Sequence, residues 1–138
     1  MFTLSQTHNQ AFQAKAEVYF VREVMQFLRE NHAETVVKLP HDEFKVADLP
    51  EETLQKMVIG GIAKARSYGM TWQSTLISFV VIMFVSAPNF DEDEQIQEIL
   101  EDNINFYPNL VIDALWDTIK EEIWKKIINS YNTKSWLI

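Results

Sequence analysis

Cysteine is absent from the chain, which excludes a disulfide framework, thiolate catalysis and cysteine-ligated metals. Glycine and proline are scarce, with 3 and 4 residues in 138. That is too few for the many turns of a strand-rich fold, so the scarcity favours a few long helices. The longest strongly apolar run, Leu76–Val85, falls far short of the roughly 20 residues that span a bilayer. The segment Met1–His8 has neither the basic start nor the apolar stretch of a secretory signal. The expectation is therefore a cytoplasmic protein without membrane association. Basic residues are missing from a long central region: no Lys or Arg lies between Arg66 and Lys120.

That same region carries Asp91, Glu92, Asp93, Glu94, Glu98, Glu101, Asp102, Asp113 and Asp117, and the whole chain has a net charge of −8. Such a field repels phosphate backbones and anionic lipid surfaces, which argues against nucleic acid and membrane partners. It suits a basic protein surface through complementary potentials. The plain alternative is a solvated face that keeps the domain soluble.

What the chain does have is apolar bulk: 47% hydrophobic residues, including 9 Phe, 4 Trp and 4 Tyr. Within Leu76–Val85 only Ser78 is polar, and a helix apolar on all sides must be surrounded by other elements. The remaining periodicity arranges helices around it. Phe12, Ala16, Tyr19, Phe20, Val24, Phe27 and Leu28 predict a first helix over 5–31, and a short helical piece is expected over 33–39. An extended connector follows over 41–46. A second helix is expected with Asp48 as cap, Pro50 in its first turn and the stripe Leu54, Val58, Ile62 and Ala65. Gly60-Gly61 inside it reads as a close helix crossing, and Gly69 as its left-handed end. Thr71 is expected to cap the central helix, and Asp91 to cap a fourth, with Glu94 completing the capping box. Ile112, Leu115, Trp116, Ile119, Ile123 and Ile127 predict one continuous fifth helix to about Tyr131. The fold class expected is all-α, a single-domain bundle of about five helices.

Motifs for chemistry are thin. His8, His32 and His41 lack metal-ligand spacing. An EF-hand starting at Asp91 would want Gly at its sixth position and Glu at its twelfth, where Ile96 and Asp102 stand. No nucleophile elbow or phosphate loop occurs. No catalytic, metal or cofactor residues are assigned, and an enzyme using the carboxylate cluster is the minority alternative. Trp72, Trp116, Trp124, Trp136, Tyr68 and Tyr107 are ordinary core residues or interface anchors. Trp136, beside the C-terminus, is the one expected at an interface, since frayed ends seldom hide a tryptophan.

Three stretches carry a resemblance: Ala65-Arg66-Ser67-Tyr68-Gly69-Met70-Thr71; Phe79 with Met83-Phe84; and Pro88-Asn89-Phe90-Asp91-Glu92-Asp93 with Ile99-Leu100. The chain resembles a family of small helical bacterial proteins often encoded beside type VI secretion spike components of the PAAR type and toxin effectors. Ala87-Pro88-Asn89 and Glu94-Gln95 depart from the family's usual glycine and Pro-Trp. The resemblance implies a cytosolic, non-enzymatic partner of a secreted toxin, either an immunity protein or a loading chaperone. The contact residues expected are Asp91, Glu92, Asp93, Glu94, Glu98, Glu101, Asp102 and Trp136. The partner expected is a basic toxin or effector. A homodimer burying the fifth helix and the Trp136 tail is the structural rival.

Overall fold

A computed structural model describes residues 4–136, with side chains of the first helix described from Gln13 onward. The side chains of His8 and Phe12, together with Leu137 and Ile138, lie outside the described residues. Helix α1 (Leu4–Asn31) buries Phe20, Val21, Val24, Met25 and Leu28, which three- and four-residue steps place on one arc. Ala16, Tyr19 and Phe27 were expected on that face and are exposed. Tyr19 and Phe27 point roughly a quarter turn or more from the arc's centre, so Val21 and Met25 take their places. Among the described side chains of α1, the buried ones all lie from Phe20 onward. Just before them the helix is tethered by a bidentate pair, Arg66 Nη1 and Nη2 donating to the Glu17 carboxylate at 2.8 and 2.9 Å.

The stretch expected as a short helix over 33–39 holds a strand instead. Strand β1 (Val36–Lys38) pairs antiparallel with β2 (Glu43–Lys45), and Val37 faces Phe44. Val36 and Lys38 are exposed while Val37 is buried, the period-two pattern that β-branched Thr35-Val36-Val37 favours. A 3₁₀ turn, Val46–Asp48, leads to helix α2 (Glu51–Ser67). Asp48 lies in that turn and Pro50 occupies the cap position, so the expected Asp48 cap is not formed.

Leu54, Met57, Val58, Ile62 and Ala65 of α2 pack on helix α3 (Gln73–Val85). Gly61 marks the crossing, where a Cβ would stand 3.1 Å from both Val80 Cγ2 and Met83 Sδ. The missing side chain is what lets the two helices approach. Gly69 closes α2 at φ +88°, with the Gly69 and Met70 amides donating to Arg66 and Ala65 carbonyls. Helix α3 is central as expected. Leu76, Phe79, Val80, Ile82, Met83 and Phe84 belong to the one buried cluster, while Val85 at its end is exposed.

Helices α4 (Glu94–Asn103), α5 (Val111–Thr118) and α6 (Glu121–Asn129) complete the bundle. The expected single fifth helix is broken in two, because Ile119 and Lys120 are extended. Unbroken, it would run straight past the core at 1.5 Å per residue. The break turns the C-terminal part back, and a final 3₁₀ turn, Thr133–Trp136, docks against α2 and β1. β-Branched Thr118-Ile119 followed by the acidic pair Glu121-Glu122, which favours a helix start, marks the junction in the sequence. The fold is all-α with one small hairpin, six α-helices among the described residues. No helix is long and apolar enough to cross a membrane among those residues.

Candidate protein-binding surface

The acidic segment divides into an inner and an outer part. Phe90 is fully buried against Phe79 and draws the 3₁₀ turn Phe90–Glu92 into the body. Asp91 follows it inward and is 5% exposed. Its carboxylate pairs with Lys64 Nζ at 3.1 Å and accepts from the Tyr68 hydroxyl at 2.7 Å. Lys64 also donates to the Pro88 carbonyl at 2.9 Å. Asp91 therefore neither caps α4 nor stands at the surface, as the sequence reading had it. Burial and then the Asp91 carboxylate push the Tyr68 phenol well above its ordinary range, so it stays protonated and donates.

Asp93 is the cap that Asp91 was expected to be. Its backbone is extended and Oδ1 accepts from the Gln95 and Ile96 amides at 3.0 and 3.3 Å. Its side chain is nearly covered, with Lys126 Nζ 3.9 Å from Oδ2. Glu92, Glu94, Glu98, Glu101 and Asp102 are exposed. Glu94, Glu98, Glu101 and Asp102 recur at three- and four-residue steps on one outer face of α4. Asp113 and Asp117, four apart on α5, are exposed as well.

Trp136 is 1% exposed and contradicts its expected place at an interface. Its ring packs on Phe84 with centroids 4.8 Å apart. The indole N–H lies 3.1 Å from the Lys38 carbonyl and 3.0 Å from the Tyr131 hydroxyl. That hydroxyl also accepts from the Lys38 amide at 3.1 Å. A buried indole needs such partners, and the turn after α6 brings them to it. Trp136 is thus internal and unavailable to a homodimer interface.

The exposed aromatics lie elsewhere. Trp72 is 56% exposed at the start of α3, and Phe106 is 77% exposed in the α4–α5 turn beside exposed Tyr107 and Leu110. Trp116, one turn beyond Ile112 on α5, is exposed too, with its ring 5.4 Å from Trp124. Asn109 joins the two turns. Its Oδ1 accepts from the Thr71 and Trp72 amides at 2.7 and 2.9 Å, and its Nδ2 donates to Thr71 Oγ1 at 2.9 Å. Thr75 Oγ1 donates to the Asn109 carbonyl at 3.1 Å. The start of α3 is therefore held from across the fold by Asn109, where a Thr71 cap was expected. Sequence reading missed Phe106 altogether. The available signal was its place in Asn105-Phe106-Tyr107-Pro108, a turn with no helical period to bury an aromatic.

Compared with protein-family models, curated proteins and solved structures, the chain matches none.

Proposed function

We propose that the chain is a non-enzymatic, cytoplasmic protein-binding module whose partner presents a basic surface to the outer face of α4 and its neighbour α5. One observation carries this reading. Glu94, Glu98, Glu101, Asp102, Asp113 and Asp117 all face outward, in a stretch of chain that contains no Lys or Arg. Complementary charge of this kind steers and speeds protein association. Exposed Trp72, in one cleft with Asp113, and exposed Trp116, adjoining Asp117 on α5, supply the residue types that dominate contact energies. The polar cluster at the inner end of the acidic segment, Lys64 with buried Asp91 and Tyr68, spends its hydrogen bonds internally, which favours a binding role over a catalytic one. The resemblance in the 65–100 stretch makes a secreted effector of the type VI kind the partner class, with the chain as its immunity protein or loading chaperone.

The test is capture from the native host with the tagged chain, eluted over a salt gradient. The expected result is a cationic protein released as salt rises. Recovery of the chain alone, or a partner held indifferently to salt, would contradict the reading. One observation favours self-association as a second reading: Val18 and Tyr19 are exposed side by side near the middle of α1. Gel filtration separates the two, since a monomer leaves only the first.

A further inference from the structure

The outer carboxylates account for attraction to a basic surface and leave open what fixes the partner in place. Resting on the binding role proposed above, we propose that the cleft between the starts of α3 and α5 receives an arginine side chain of the partner. The cleft is lined by Trp72, Ser74, Ser78, Leu110, Ile112 and Asp113, and its volume is about 220 Å³. That is smaller than the roughly 300–1,000 Å³ of small-molecule sites and on the scale of one long side chain.

The lining matches a guanidinium part by part. Trp72 leaves more than half of its surface open to solvent, and indole faces attract guanidinium groups by stacking and cation–π contact. Asp113 has no cation partner among the described residues. A carboxylate takes two parallel N–H donors from guanidinium, a pose the compact ammonium of lysine cannot reproduce while also stacking. Leu110 and Ile112 give the alkyl stem an apolar wall. The Ser78 hydroxyl donates to the Ser74 carbonyl at 2.9 Å, which leaves its own oxygen to accept. The four bonds of Asn109 fix Trp72 and the start of α5 relative to each other, so little ordering remains to be done on binding.

One effect opposes a cation here. The starts of α3 and α5 each carry partial positive charge from the helix dipole, which fades within a turn. Asp113 brings a full negative charge into the cleft, Asp117 stands one turn beyond it, and no Lys or Arg occurs from 67 to 119. The carboxylates set the sign.

The test is calorimetric titration of the full chain with an arginine homopeptide and a lysine homopeptide of equal length. The arginine peptide is expected to bind about tenfold more tightly, the gain that stacking plus a bidentate pair supplies. Trp72→Leu and Asp113→Asn, both at exposed positions and checked for unchanged melting, are each expected to bring the ratio close to one. Equal binding of the two peptides by the unaltered chain would overturn the arginine cleft and leave the basic-partner reading standing. A preference that survives both substitutions would also overturn it, since the selective site would lie elsewhere. Failure of both peptides to bind would sink the cleft and the basic-partner reading together.

Discussion

Trp136 and Trp72 are the same residue put to opposite uses. Trp136 sits near the end of the chain and is enclosed, its ring on Phe84 and its N–H bonded to β1. Trp72 sits mid-chain at the head of the central helix and leaves more than half of its surface open to solvent. The acids divide the same way: Asp91 and Asp93 are drawn into the fold, whereas Glu94, Glu98, Glu101 and Asp102 face outward. The difference teaches that neither residue type nor sequence position decides which groups build the fold and which are left at the surface. Enclosure by a neighbouring element decides it.

Substitutions should sort along that line, with stability lost on the inner side and binding on the outer. Trp136→Ala should cost most, about 3–5 kcal/mol for emptying a fully buried large aromatic site, read as a lower urea midpoint. A loss below about 1 kcal/mol would mean that the tail is not docked. Asp91→Ala should cost about 3 kcal/mol, the low end for breaking a buried pair, because Lys64 keeps some access to water.

Tyr68→Phe should cost about 1 kcal/mol by removing the hydroxyl bond to Asp91, and it should also change the alkaline limb of stability. The folded-state pKa of Tyr68 is raised above the ordinary phenol value of about 10. Above that value the unfolded chain releases the proton while the folded chain holds it, so stability is full below about pH 10 and declines as pH rises further. The phenylalanine variant should decline less steeply. Some slope should remain from Tyr131, whose pKa burial also raises. Identical alkaline limbs would contradict the assignment of Tyr68. The smallest effect on stability belongs to Glu98→Lys, Glu101→Lys and Asp102→Lys combined, within about 0.5 kcal/mol per exposed site. A large drop in their melting temperature would place these groups inside the fold's own interactions.

How far the sequence reaches follows from which forces are local. The central helix was legible because Leu76–Val85 has no polar face to offer solvent. The stripe on α2 and the close crossing at Gly61 were legible for similar reasons, periodicity and a missing side chain. The end of α2 was legible because only glycine takes φ +88° without strain. Features that depend on distant neighbours were not legible. Asn109 caps a helix 38 residues away in sequence from its Thr71 contact. Asp93 takes the cap expected of Asp91, and Asp91 turns inward to Lys64 and Tyr68, because Phe90 is drawn against Phe79, a contact that no capping pattern records. The break at Ile119 keeps the helical spacing on both sides, so periodicity alone read through it. The outer carboxylates of the candidate surface could be named from charge, and its aromatic part could not, since each tryptophan taken singly looks like core.

The most direct test of the division between inner and outer groups is capture from the native host, at one low salt concentration, with the unaltered chain and the Glu98→Lys, Glu101→Lys, Asp102→Lys variant side by side. The account predicts that both melt at nearly the same temperature and that the variant alone fails to retain the cationic partner. Equal retention by a variant that is fully folded would contradict it, and would return the acidic face of α4 to the role of a solvated surface.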